Sequence, residues 1–396
     1  MKKLFVCLCA LTAAGLAGLE TEPAESGLVL REAARIAASL DDSTLASQVI
    51  MSGVDGKSAL DPDMRRILAD CPPGAIMLFR YNLDMPKDKV RLFIDECRDL
   101  VAAAVRTKSA GTRIAGGEGR PGTAIPPFIA ADHEGGQVHR FGPGIGRLPA
   151  AASWEERAKR EGSAAALAAL EDAACESGRE IRDLGLTLVL APVAEPLNED
   201  NRLFLEDRSF GSDAAFTAAA AAAYVRGMEQ AGLGCVVKHF PGHSGTDPHR
   251  DLSVLPGSRE ELAQAVRPFA DLAGGGTPHI TGIMVSHALV PAWDPERIAS
   301  LSPAIIGQWL RGELGFEGIV LADDFSMGAS AFRTNPEEAA VLSLAAGVDM
   351  VMAWPSGLRK LRAAILDALE QGTLSRGRLE EAATRIIAEK IRLGLL

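Results

Sequence analysis

Short apolar runs alternate along this chain with longer segments in which apolar residues recur every three or four positions. Eight of the runs read as strands: Gln48–Val54, Ala75–Phe79, Pro127–Asp132, Thr187–Pro192, Gly234–His239, Thr281–His287, Gly318–Asp323 and Val348–Ala353. Between them, Val90, Phe93, Ile94, Cys97, Leu100 and Val101 keep helical spacing, and Ala214–Ala223 has high helix propensity. Eight strand-then-helix units predict an α/β fold, a single closed (β/α)8 TIM-type barrel rather than an open doubly wound sheet. Two glycine-rich stretches, Thr107–Thr123 and Gly274-Gly275-Gly276, read as surface loops without chemistry of their own. No linker divides residues 27–396, which are expected to form one domain.

The first residues follow another pattern. Met1-Lys2-Lys3 precedes an uncharged run from Leu4 to Leu19, shorter than the ~20 apolar residues of a spanning helix. Residues 1–19 therefore read as a signal peptide, with export to the periplasm or the exterior as the expectation and a cytoplasmic protein as the alternative. Cys7 and Cys9 fall inside that run. Cys71, Cys97, Cys175 and Cys235 lack C-x-x-C spacing and read as core thiols, not as a disulfide frame or metal site.

With 396 residues, 47% of them hydrophobic and 23% charged, the chain can bury a large core. A net charge of −11 without a basic cluster disfavours nucleic acid and anionic membrane surfaces as partners. A monomer is expected.

Chemistry concentrates at strand ends. Asp132, Lys238 with His239, His287 and Asp323 each stand at or just past the C-terminal end of a different strand, the end at which barrel enzymes keep their active sites. Lys238 to His249 holds three of the seven histidines of the chain. Within it Asp247 and His249 are spaced so that a carboxylate can orient an imidazole for proton transfer. Asp323 and Asp324 follow an apolar strand, and alternation along a continuing strand would let only one of them face inward. That carboxylate reads as nucleophile, metal ligand or electrostatic anchor, and Asp324 as a helix N-cap before Phe325-Ser326-Met327.

Lys238-His239-Phe240-Pro241-Gly242-His243 with Asp247-x-His249, followed by Ala322-Asp323-Asp324-Phe325-Ser326-Met327, resembles family 3 glycoside hydrolases, specifically their single-domain β-N-acetylglucosaminidases. The likeness extends to Asp132-His133-Glu134-Gly135-Gly136-Gln137-Val138-His139-Arg140-Phe141, Ala191-Pro192-Val193, Asp207-Arg208-Ser209-Phe210-Gly211, His287 with Leu301-Ser302-Pro303, and Ala345-Ala346-Gly347-Val348-Asp349-Met350. It runs from about Gln48 to the C-terminus.

The resemblance implies Asp323 as nucleophile and His249, backed by Asp247, as acid/base. It implies that Asp132, Arg140, Arg208, Lys238, His239 and His287 hold the terminal sugar. The activity it implies is exo-acting, retaining β-N-acetylhexosaminidase, removing terminal N-acetylglucosamine from peptidoglycan fragments without cofactor or metal. Phosphorolysis of the same bond and β-glucosidase activity are alternatives within the family. Outside it stand a metal-dependent barrel hydrolase using His239, His243, Asp247, His249 and Asp323, and a sugar-binding protein without catalysis. The chain departs from the family pattern in a loop two residues shorter before His249, in Glu195 where an aspartate is usual, and in Ala322 where a serine is usual.

Overall fold

All eight apolar runs form parallel strands in the computed structural model, which describes residues 22–110, 124–245, 252–274, 278–326 and 335–396. The strands are β1 Ile50–Gly53, β2 Ala75–Met77, β3 Phe128–Ala131, β4 Leu188–Val189, β5 Gly234–Phe240, β6 Gly282–Val285, β7 Ile319–Ala322 and β8 Val351–Ala353. Hydrogen bonding follows chain order from β1 to β7, and β8 pairs with β1. Met51 lies opposite Ala75, Ala75 opposite Phe128, and Leu188 opposite Gly234. The ring closes where Leu321 bridges Met350, with Ala322 N–H donating to the Met350 carbonyl at 3.0 Å. In β1 to β7 every residue is buried, because side chains face either the barrel interior or the helices outside. A strand covered on both sides needs no polar face, hence continuous runs where an exposed sheet would alternate.

The helical segments are longer than their apolar spacing suggests. Lys87–Ala110 buries Phe93, Ile94, Cys97, Val101 and Val105, so Thr107–Ala110, expected to begin a loop, instead end a helix. Ala102, Ala103 and Ala104 carry the helix onward, since alanine loses no side-chain entropy there. The remainder of the expected loop, 111–123, lies outside the described residues, as do 275–277 and the expected signal peptide. Helix Ala214–Gln230 starts at Asp213, whose carboxylate accepts the Ala215 N–H at 2.8 Å, and packs along helix Ser163–Arg182. At their crossing a Cβ on Gly227 would sit 2.4 Å from the Glu171 carbonyl oxygen, so only glycine allows this approach.

Two buried charged groups tie outer helices to the barrel. Asp349, just before β8, accepts from Arg311, Arg378 and Arg385, and also takes the Val320 N–H of β7 at 2.9 Å. Lys390, on helix Arg376–Arg392, donates to Gln48 Oε1 at 2.9 Å and lies 5.3 Å from the Phe128 ring centroid; burial pulls its pKa down to about 7. Cys71, Cys97, Cys175 and Cys235 are free and buried, as the spacing implied.

Candidate active site

The strands deliver their polar residues into one cavity of 810 Å³ at the C-terminal mouth of the barrel, within the ~300–1,000 Å³ typical of small-molecule sites. Asp132 follows β3, Lys238 and His239 belong to β5, and Asp323 follows β7; all line the cavity, together with Arg140 from a loop and Arg208 from the 3-10 helix Glu206–Arg208. Adjacent residues of a regular strand point to opposite faces. Lys238 and His239 share the cavity because the ladder slips there: Lys238 pairs with Met284, but Phe240 pairs with the next residue, Val285.

Two carboxylates and three cations interlock on one side. Lys238 Nζ donates to Asp132 Oδ1 at 2.8 Å and contacts Glu134 Oε1 at 2.7 Å. Arg140 Nη2 donates to Asp132 Oδ2 at 2.9 Å, and Arg208 grips Glu134 through two bonds of 2.7 and 2.9 Å. Burial alone would raise both carboxyl pKa values, but Lys238 and the two arginines outweigh it and hold Asp132 and Glu134 below the usual carboxylate range. Burial likewise opposes the Lys238 charge, and the two carboxylates reverse that, so it stays an ammonium. Glu134 was not singled out from the sequence, although its i, i+2 spacing from Asp132 suits two side chains on one face.

Glu195 organises a second group. Its Oε1 lies 2.7 Å from His239 Nδ1 and 3.1 Å from His243 Nδ1. Burial would raise the Glu195 pKa, yet the two histidines hold it well below the usual range, so it is an ionised acceptor and both Nδ1 atoms donate. Burial lowers the His239 pKa, leaving a neutral ring whose Nε2 is an acceptor. The metal-dependent reading drew on His239, His243, Asp247, His249 and Asp323, of which Asp247 and His249 lie outside the described residues. Among the described residues, Glu195, His239 and His243 stand at metal-ligand spacing, with ligand atoms within 4.8 Å of one another.

β7 stops at Ala322, so alternation no longer separates Asp323 from Asp324 and both reach the cavity. Asp323 Oδ1 accepts the Asp324 N–H at 2.9 Å. Its burial opposes charge, but His239, His287 and that N–H hold its pKa below the ordinary value. Asp324 accepts the Ser326 N–H at 2.8 Å, as a cap would, and its Oδ2 takes the Trp354 indole N–H at 2.7 Å; residues 327–334 are outside the described set. His287 is not among the residues lining the cavity; it is buried, stacked on Phe325 at 4.6 Å with Nδ1 bonded to Ser300 Oγ. Asp247 and His249 lie outside the described residues. The chain on either side of them is pinned together, Ser244 N–H donating to Ser253 Oγ at 2.8 Å.

His133, between the two network carboxylates, is fully buried with Nε2 2.7 Å from Ser177 Oγ. Burial, then His139, lowers its pKa to about 3. The unfolded chain protonates this ring below about pH 6.5 while the folded chain does not, so stability present above that pH drains away as pH falls toward the folded value. Urea titrations between pH 6 and 4 are expected to show ~1.4 kcal/mol lost per pH unit from this ring alone. His133→Asn should flatten the slope by that amount; an unchanged slope would remove His133 as its source.

The Glycosyl hydrolase family 3 N terminal domain matches residues 48–388. A beta-hexosaminidase of Methylococcus capsulatus is 33% identical over 322 residues, covering 80% of this chain and 86% of that protein. In structure, a family 3 beta-N-acetylglucosaminidase from Paenibacillus superposes with TM-score 0.78 at 28% identity, over 90% of this chain; the chain spans 63% of that one. LpqI of Mycobacterium tuberculosis gives TM-score 0.71 at 27% identity, covering 89% of this chain and 95% of its own.

Proposed function

Because this chain belongs to glycosyl hydrolase family 3, we propose that it is an exo-acting β-N-acetylhexosaminidase that works with retention through a glycosyl-aspartate intermediate. The observation that carries this reading is Asp323, kept ionised in the same cavity as the Asp132, Glu134, Arg140, Arg208 and Lys238 network. In this reading the network and His239 hold the hydroxyl groups of the terminal sugar. The Asp323 carboxylate attacks C1 as the glycosidic C–O bond breaks, and His249, paired with Asp247, gives its proton to the departing oxygen. Water, deprotonated by the same imidazole, then releases the sugar from Asp323. Within the network each carboxylate and each cation already touches a group of opposite charge, which suits hydrogen bonding to a hydroxyl-rich ligand better than capture of a strongly charged one.

Terminal N-acetylglucosamine from peptidoglycan fragments is the proposed substrate and export the proposed route, with wall turnover as the setting. A chromogenic β-N-acetylglucosaminide is expected to be cleaved with release of the β-anomer, seen by proton NMR in the first minutes. EDTA should leave the rate unchanged. Loss with the chelator and recovery with zinc would turn the reading toward metal chemistry at Glu195, His239 and His243. A sugar 1-phosphate formed only when phosphate is present would replace hydrolysis by phosphorolysis.

A further inference from the structure

Phe79, Tyr81 and Trp354 build an aromatic shelf beside this cavity. The Phe79 and Trp354 rings stack at 5.1 Å and 9°, and Phe79 and Tyr81 at 5.9 Å and 13°. Phe79 and Trp354 both line the cavity. Trp354 is nonetheless 44% exposed and Tyr81 41%. Both outer rings are locked through their polar atoms: Trp354 Nε1 donates to Asp324 Oδ2 at 2.7 Å and Ser326 Oγ at 2.8 Å, and Tyr81 donates to the Val54 carbonyl at 3.0 Å. Beneath them Gly53 closes β1 without a side chain, and a Cβ there would stand 3.1 Å from Phe79.

An indole left in water yet fixed in one orientation has already lost the freedom that binding would otherwise take from it. Its place narrows the ligand. The carboxylate and cation network comes from β5 and from the connections after β3 and β4, whereas the shelf rises from the ends of β1, β2 and β8. The residues that hold the indole, Asp324 and Ser326, follow directly on Asp323. A ligand held by the network with one atom at Asp323 therefore meets the shelf with the part beyond that atom.

We propose that Trp354, with Phe79 and Tyr81, is the leaving-group subsite, receiving the C–H face of the pyranose next to the sugar that is cut off. This rests on the glycosidase reading above and deepens it: the preferred substrate carries a second pyranose, from a chitin-type or a muramyl disaccharide, in place of a small alcohol. Such a contact uses binding energy remote from the reacting bond, so it shows in kcat/KM for substrates that own the second ring.

The test compares kcat/KM on N,N′-diacetylchitobiose, on the N-acetylglucosaminyl-muramyl disaccharide and on methyl β-N-acetylglucosaminide, for the wild type, Trp354→Ala and Trp354→Phe. In Trp354→Ala the ratio of disaccharide to methyl glycoside should fall about tenfold. Trp354→Phe, which keeps a ring but gives up the N–H, should hold most of the ratio. A fall with both disaccharides supports a shelf that reads the shared ring face, and a fall with one supports the subsite and names its sugar. Equal losses on all three substrates would make Trp354 a support for Asp324 and overturn the subsite, as would a ratio within twofold of wild type. A wild type that cleaves none of the three overturns the glycosidase reading, and the subsite with it.

Discussion

Asp323→Ala is expected to lower kcat on an aryl β-N-acetylglucosaminide on the order of 10⁴-fold or more, with the fold retained. The loss is large because the side chain would be the covalent partner of C1, and nothing else among the described residues stands ready to replace it. Asp324 is spoken for by Ser326 and the Trp354 indole. Asp132 and Glu134 are tied to Lys238 and the arginines. The fold should survive since the Asp323 carboxylate makes one local hydrogen bond, to the next N–H, and its burial opposes its charge. Added azide, small enough for the vacated space, is expected to restore turnover of an activated aryl substrate and to yield the α-glycosyl azide: the C–N bond forms from the side Asp323 occupied as the aryl C–O bond breaks. Near-full activity in the variant, or β-azide as product, would show that the nucleophile lies elsewhere.

Asp349→Ala should cost about 3–5 kcal/mol of unfolding free energy, read as a lowered urea midpoint. This carboxylate is fully buried and meets Arg311, Arg378 and Arg385, which come from two helices. It also takes the Val320 N–H at the junction where β7 meets β8. Its removal leaves three guanidinium groups crowded together without their counter-charge and one strand N–H without an acceptor. Asp349→Asn, which keeps an oxygen for Val320 but no charge, is expected to fall between. If Asp349→Ala unfolds within 1 kcal/mol of wild type, the cluster is not the clasp its geometry suggests.

The barrel was legible because its strands are buried on both sides, and continuous apolar runs bounded by glycine, proline or charge are a local signal. The strand-end residues Asp132, Lys238, His239 and Asp323 were legible for the same reason: polarity has to begin where burial stops. What escaped depended on partners distant in sequence. Glu134 has meaning only beside Lys238 and Arg208, and three helices and two strands separate it from the arginine alone. Glu195 could be seen as one methylene longer than usual, but not as the acceptor for two imidazoles. The idea that only one of Asp323 and Asp324 faces inward failed on a strand boundary, since β7 ends one residue before the pair. Trp354 follows a three-residue strand and looks like any surface aromatic until Phe79 is set against it. Thr107–Ala110 were misread because glycines further on outweighed the alanines just before.

The four buried thiols carry a consequence of their own. Burial pushes the Cys97 pKa up to about 12 and raises that of Cys235 as well, so both stay as thiols and form little of the thiolate that attacks disulfides and oxidants. These buried thiols should therefore resist oxidation for as long as the barrel stays folded around them. Once opened by heat in air, the same sulfurs become reactive and free to cross-link, and recovery on cooling should improve when a reducing agent is present.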